Sequence, residues 1–226
     1  MPEVVIGIFL VVIGMIAIIA IVQHLNEKKR TESLRKLADE LNFEFFPKGK
    51  PQLTAALAQF QLFNIGRARQ MWNLLSGYAG GLELNIFDYR YTTGSGKSQR
   101  TWKKTVFAAR CRDMDLPQFN MRPETVWNKI GAWLGFKDID FDSHPIFSRL
   151  YYLKGADEGA IRALFSPEIL EYFEGHHGLN VEAMGDVVLY YTMERRKPEG
   201  IRAFMTDGFA ILKLFRPGDR PEPAEQ

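Results

Sequence analysis

A run of alternating acidic residues is the strongest candidate for metal or acid chemistry in this sequence. Single apolar residues separate three aspartates, and a histidine follows shortly after; the four residues are Asp138, Asp140, Asp142 and His144. Alternate side chains of an extended backbone lie on one side, so these donors would suit a hard divalent cation or a catalytic acid. A standard EF-hand loop beginning at Asp138 is excluded, because its sixth position is Ser143 instead of glycine. The alternative is a turn in which Asp142 bonds the local backbone.

Four arginines form a second group of candidates. Two follow Gly66 and two lie on or beside a predicted β-hairpin; they are Arg67, Arg69, Arg90 and Arg100. If the fold brings these side chains together, they would form an anion-binding face. Arginine is mostly exposed in folded proteins, so the alternative is that each side chain is solvated separately.

Residues 94–98, with the sequence GSGKS, end like the Walker A loop that cradles phosphates. Two requirements of that loop are not met. Its first glycine would fall at Tyr91, and a strand pattern follows where the loop needs a helix whose N-terminus faces the anion. We therefore predict a hairpin tip that does not bind nucleotide.

Nucleophilic catalysis needs a serine or cysteine beside a histidine that a third group orients. The histidines are at positions 24, 144, 176 and 177, and the sequence contains neither GxSxG nor HExxH. His24 adjoins a predicted membrane span, and His176 and His177 follow Gly175 at a predicted helix end, where cationic side chains are common. We therefore predict no catalytic residue, no cofactor-binding residue and no cofactor.

The composition argues against two further classes of site. The 226 residues include 29 basic and 27 acidic side chains, which gives a net charge of +2. Proteins that bind a polyanion are usually much more basic, so we expect no nucleic acid partner. The single cysteine, Cys111, has no partner for a disulfide and no Cys or His cluster for zinc. We predict that it is a small buried side chain within a strand.

An apolar run over residues 4–22, VVIGIFLVVIGMIAIIAIV, predicts a membrane span. At 1.5 Å per residue the run is long enough to cross about 30 Å of hydrocarbon. A cleaved signal peptide would carry basic residues before its apolar stretch, whereas Met1, Pro2 and Glu3 precede this one. We predict a retained single span through the lipid bilayer, with residues 1–3 as a short exterior N-terminus.

Basic residues determine the predicted orientation of this span. Several follow it and none precedes it; they include Lys28, Lys29, Arg30, Arg35 and Lys36. Because basic flanks stay on the cytoplasmic side, the N-terminus is predicted outside and the remaining chain in the cytoplasm.

The chain after the span has the mixed pattern of an α+β domain, in which helices pack on one or more antiparallel sheets. Residues 23–42 are predicted to form a juxtamembrane amphipathic helix, and residues 43–216 the soluble domain, with a possible subdivision near residue 117. A change of alternation at Phe87 predicts a β-bulge. In the first half we predict a helix at 51–58 and strands at 43–46, 60–63, 70–78, 82–91 and 102–111.

The second half has clearer helix signals. Ser166, Pro167 and Glu168 supply an N-cap, a first-turn proline and a first-turn acid. We predict helices at 123–135, 157–165, 167–175 and 201–215, a strand at 147–153, and a hairpin formed by strands 179–183 and 187–193. The polar, proline-rich residues 217–226 are predicted to be a disordered tail.

Two segments resemble those of bacterial membrane-anchored proteins of uncharacterised function: FDYRYTTGSGK at residues 87–97 and DFDSHPIFS at residues 140–148. The resemblance implies a bacterial inner membrane location and no catalytic residue. We therefore favour a non-enzymatic interaction or scaffolding module at the cytoplasmic face. The alternative is a membrane-associated hydrolase or metal-dependent enzyme that uses the acidic run and His144.

Overall fold

A single long helix connects the apolar N-terminal segment to the folded domain. The computed structural model describes residues 2–124 and 137–216, and its first helix, α1, runs without interruption over Pro2–Glu40. Among the described residues, α1 is the helix that is long and apolar enough to cross a membrane, and its apolar window is not buried against the domain. Residues 4–22 and most of 23–42 therefore belong to one helix.

After α1, the described residues form one antiparallel sheet with the spatial order β1-β2-β3-β4-β8-β7-β5-β6. Strands from both sides of residue 117 share this sheet, and the predicted α+β class is confirmed. The strands are β1 Glu44–Phe46, β2 Arg67–Ala79, β3 Leu82–Thr93, β4 Arg100–Arg110, β5 Leu116–Pro123, β6 Tyr151–Gly155, β7 Asn180–Gly185 and β8 Val187–Tyr191.

The shorter helices begin where local capping signals predict. Asp157 accepts a hydrogen bond from the backbone N–H of Ala160 at 2.9 Å, and prolines occupy first turns. The three predicted helices at 157–165, 167–175 and 201–215 are confirmed. The described helices after α1 are α2 Pro51–Ala56, α3 Pro145–Leu150, α4 Glu158–Leu164, α5 Pro167–Gly175 and α6 Ile201–Phe215.

Both faces of the sheet are covered. A larger core packs the second half of α1 together with α4, α5 and α6 on one face, through residues such as Leu34 and Phe204. A smaller core lies on the opposite face under the segment 51–65, which contributes Leu57 and Phe63. The central strands are therefore buried on both sides, as their apolar composition requires.

The β-bulge predicted at Phe87 is absent, because β3 is buried on both of its faces. β3 pairs with β4 along its whole shared length without a register shift. Leu84 and Ile86 face the larger core, whereas Phe87 and Tyr89 face the smaller one. The bulge prediction is wrong, because the alternation changes where the strand exchanges one apolar face for the other.

The bulges lie instead in β2, the neighbour of β3. The register between these strands shifts within residues 67–70 and again within 72–75. Each shift contains a non-glycine residue in the left-handed region, Ala68 with φ 51° and Asn73 with φ 49°. One extra residue in each place bends β2 relative to β3.

The predicted strand at 60–63 is wrong. Residues 57–59 and 61–64 form two turns of 3-10 helix, whose apolar side chains pack on the sheet. The backbone N–H groups of Gln61 and Leu62 donate to the carboxylate of Glu182 at 2.6 and 3.0 Å. A distant side chain satisfies these donors in place of a neighbouring strand, and no local pattern predicts that.

The predicted strand at 147–153 is half wrong, because α3 occupies its first four residues. Pro145 fits the first helical turn, and the carboxylate of Glu174 accepts a hydrogen bond from the N–H of Phe147 at 3.0 Å. Strand β6 begins afterwards, at Tyr151.

Strand β5 has no counterpart among the predicted strands, and it contains two prolines. Pro117 falls where the register with β7 shifts, and Pro123 ends the strand, so neither removes a ladder bond from the strand's interior. The hairpin of β7 and β8 is confirmed, as is the burial of Cys111, which lies directly after β4 and not within it. The predicted helix at 123–135 falls almost wholly outside the described residues, and the predicted tail at 217–226 lies outside them.

Candidate functional site

A buried ion pair joins α1 to the sheet. Nη2 of Arg30 lies 2.6 Å from Oδ1 of Asp88, and Nε lies 2.8 Å from Oδ2. The two side chains are 7% and 1% exposed. Arg30 also donates to the backbone carbonyl of Arg196 at 2.6 Å. A two-point contact fixes both distance and direction, so the helix cannot rotate about its axis without breaking it.

The bulge at Asn73 supports this ion pair. Nδ2 of Asn73 donates to Oδ2 of Asp88 at 3.0 Å, and Oδ1 accepts from the hydroxyl of Thr31 on α1 at 2.9 Å. Asparagine adopts positive φ more readily than most residues. The bulge therefore holds the side chain that orients the buried carboxylate.

One turn nearer the N-terminus, Glu27 makes a second connection. Its carboxylate accepts two hydrogen bonds from Arg195, at 2.7 and 2.9 Å, and one from Lys103 at 2.8 Å. Partial burial by itself would raise the pKa of Glu27, but Arg195 and Lys103 outweigh it and lower the pKa to about 2. We call Glu27, Arg30, Asp88, Lys103 and Arg195 the ion-pair network.

Sequence reasoning missed the ion-pair network, although two signals of it are visible. Arg30 precedes Leu34 by four residues and so lies on the apolar stripe of the helix, a position where an unpaired charge is unfavourable. Asp88 interrupts an apolar strand between Phe87 and Tyr89. Each charge in an apolar pattern predicts a partner, but the pattern does not identify which.

A second buried polar cluster surrounds Glu182 on the opposite face of the sheet. Its carboxylate accepts hydrogen bonds from two backbone N–H groups of the 61–64 turn and from the hydroxyl of Tyr191 at 2.8 Å. Burial nonetheless raises the pKa of Glu182, and these hydrogen bonds only partly oppose the effect. The cluster connects the 61–64 turn to β7 and β8.

Lys104 is the most unusual member of this region, because it is a lysine that is 1% exposed. Its Nζ contacts the backbone carbonyl of Thr192 at 3.3 Å and Sδ of Met193 at 3.5 Å. Burial lowers the pKa of Lys104 from 10.5 to about 8. Among the described residues none of the ion pairs includes it.

A cavity of about 310 Å³ forms a groove between α2 and the smaller-core face of the sheet. Its floor includes Asn85 and Ala108, and its wall includes Leu53 and Leu57. Lys50, Glu83 and Arg110 also line it, and Nη1 of Arg110 lies 3.9 Å from Oε2 of Glu83.

The predicted acidic run does not converge into a metal site. Oδ1 of Asp138 accepts a hydrogen bond from the N–H of Leu153 at 2.9 Å, while Asp140 and Asp142 are exposed and His144 precedes α3. Burial raises the pKa of Asp138 to about 6. Within residues 2–124 and 137–216, no group of three or more His, Cys, Asp and Glu side chains is placed to hold a metal ion.

The predicted arginines do come to one end of the sheet, beside the connection between β3 and β4. Arg67 donates to the carbonyl of Gly94 at 2.5 Å, and Arg100 stacks 3.8 Å above the ring of Trp102. Arg90 pairs in register with Lys103, and Arg69 donates to the carbonyl of Phe63 at 2.5 Å. All four arginines are exposed: Arg67, Arg69, Arg90 and Arg100.

The GSGKS segment and the histidines at positions 144, 176 and 177 make local contacts within the fold. Residues 96–98 form a 3-10 turn, and strand β4 follows it, so the GSGKS segment does not precede a helix. The ring of His176 stacks on Tyr172, with centroids 4.0 Å apart, and His177 contacts the carbonyl of Glu174 at 3.1 Å. Nδ1 of His144 lies 2.9 Å from the hydroxyl of the adjacent Ser143, in an exposed turn.

Comparison with known proteins shows the fold alone. No protein-family model matches the chain, and no curated protein matches it. Among solved structures, the chain is similar to the crystal structure of the mycobacterial trehalose monomycolate transport factor A, TtfA, with a TM-score of 0.60 and 12% sequence identity. The alignment covers 87% of this chain and 98% of that one.

Proposed function

We propose that this protein is a non-enzymatic interaction module anchored at the cytoplasmic face of a bacterial inner membrane. The observation that carries the proposal is the continuity of α1, whose exposed apolar half extends into a half that the ion-pair network holds against the sheet. A flexible tether would suffice to keep an enzyme near a membrane. A buried two-point contact instead fixes how the domain is presented to a partner in the same membrane.

The charge around α1 supports the cytoplasmic orientation. Lys28 and Lys29 follow the apolar segment after five intervening residues and are exposed, and Arg35 and Lys36 are exposed further along. Basic residues that flank a span favour the cytoplasmic side.

The structural neighbour suggests transport as the process that this module serves. TtfA is described as a transport factor, so we extend the proposal to an accessory subunit of a membrane transport assembly. The identity of 12% carries no ligand or partner to this chain.

An exchange of the membrane span tests this proposal. In the first variant, an unrelated apolar span of the same length replaces residues 4–22. The second variant keeps the native span and breaks the ion-pair network by Asp88→Ala. We expect a membrane protein partner to copurify from detergent extracts with the native chain and the span-exchange variant, and more weakly with Asp88→Ala. Recovery of no membrane partner by the native chain would contradict the proposal.

A further inference from the structure

The connection between β3 and β4 points in the same direction as the apolar half of α1. Nη2 of Arg30 lies 3.5 Å from the hydroxyl of Thr105, and three residues closer to the span Glu27 contacts Lys103. A step toward the membrane along α1 is therefore a step along β4 toward Arg100. The turn at residues 94–99 lies at the membrane end of the domain.

The distances bring this turn to the depth of the lipid headgroups. Glu27 lies five positions after Val22, the last residue of the apolar run, which is a rise of about 7.5 Å along the helix and away from the membrane. From Lys103, which contacts Glu27, the strand covers about 10 Å back toward the membrane before it reaches Arg100. The headgroup layer on each side of a bilayer is roughly 5–7 Å thick. The start of β4 and the turn before it thus reach the layer that α1 crosses.

This end of the domain is strongly basic. We call Arg67, Arg69, Arg90, Lys97 and Arg100 the basic hairpin end. All five are exposed, and no Asp or Glu occurs in residues 61–82 or 89–112. None of the ion pairs of the described residues involves a member of this set.

The chemistry of the surface matches a membrane interface better than a soluble anion. Its basic side chains are spread along three strand ends and a turn, so they form a broad field and do not converge on one point. Trp102 lies among them, partly exposed, with its indole N–H bonded to the hydroxyl of Thr93 at 2.9 Å. Tryptophan together with basic residues is typical of the level where a protein meets lipid headgroups.

We infer that the basic hairpin end binds the anionic headgroups of the bilayer that α1 spans, as a second contact that sets the tilt of the domain. The inference rests on the proposed membrane anchoring. The predicted anion-binding arginines thereby acquire a ligand class, the phosphodiester headgroup of an anionic phospholipid. Each basic side chain close to an anionic surface contributes enough to change the docked-to-free ratio about fivefold.

The test uses the full chain in vesicles. With Cys111→Ala to remove the native thiol, Ser98→Cys receives a fluorophore at the turn, and quencher groups are carried on lipid headgroups. We expect stronger quenching when phosphatidylglycerol is added to phosphatidylcholine vesicles, with a loss at high salt. Arg90→Gln, Lys97→Gln and Arg100→Gln together should lower the docked-to-free ratio on the order of 100-fold.

A matched control removes the same charge far from the turn. Lys36→Gln, Arg112→Gln and Lys213→Gln also replace three exposed basic residues and should leave the quenching unchanged. Equal quenching with and without phosphatidylglycerol, or equal loss in both triple variants, would overturn the inference while the anchoring stands. A chain that does not float with the vesicles would contradict the anchoring itself, and the inference with it.

Discussion

Replacing Asp88 with alanine is expected to lower the free energy of unfolding by about 3–5 kcal/mol, because Arg30 is left as a buried charge without its partner. The guanidinium keeps the carbonyl of Arg196, but that contact neutralises no charge. Arg30→Met should cost less than Asp88→Ala at pH 7, since Asp88 retains hydrogen bonds from Asn73 and Thr105. Urea denaturation in detergent micelles, followed by tryptophan fluorescence, measures each value.

The double variant tests whether the two residues act as a pair. Arg30→Met with Asp88→Ala should be less destabilised than the sum of the single variants, because neither charge remains buried alone. Glu40→Ala is the control, since it breaks an exposed pair with Arg202 whose side chains are 55% and 62% exposed. It should cost no more than about 1 kcal/mol. Equal losses for Glu40→Ala and Asp88→Ala would contradict the importance of the buried pair.

Replacing Lys104 with methionine is expected to stabilise the protein at pH 7. The folded-state pKa of about 8 lies below the ordinary 10.5, so below pH 8 the folded chain holds a buried charge that the unfolded chain holds in water. A shift of this size corresponds to about 3 kcal/mol as an upper limit, from which the lost contact with Thr192 subtracts about 1 kcal/mol. The expected gain is therefore about 1–2 kcal/mol.

The pH dependence distinguishes this cause from better packing. Above pH 10.5 Lys104 is neutral in both the folded and the unfolded chain, and its burial costs no charge. As the pH falls from 10.5 to 8, the unfolded chain binds a proton that the folded chain does not, so the free energy of unfolding decreases. The advantage of Lys104→Met should therefore shrink as the pH rises from 8 to 10. Lys36→Met, at an exposed position on α1, should show no such change. A constant advantage at every pH would contradict the burial of a charge.

The fold class could be predicted because it depends on local patterns. The apolar run of α1, the proline-started helix α5 and the hairpin of β7 and β8 each carry their signal within about twenty residues or fewer. The errors occurred where the partner is distant in sequence. Residues 61–64 bond a carboxylate more than a hundred residues away, and β3 is covered on both faces by segments that no periodicity of β3 reveals.

The site was harder to predict, for the same reason. The acidic run from Asp138 to Asp142 has the right residue types, but Asp138 binds a neighbouring backbone and the others point to solvent. Arg30 and Asp88 are 58 residues apart in sequence and meet through the packing of α1 on β3. The arginine group was predicted from a hairpin, a local element, and the structure does bring its members to one end of the sheet.

The orientation of the chain in the membrane tests the central claim most directly, and labelling of single cysteines measures it. In a Cys111→Ala background, Glu3→Cys and Tyr78→Cys are treated in intact cells with a membrane-impermeant maleimide; Tyr78 is 75% exposed, so its site is accessible to the reagent. We predict that Glu3→Cys reacts in intact cells and that Tyr78→Cys reacts only after permeabilisation. Reaction of Tyr78→Cys in intact cells would contradict a module at the cytoplasmic face.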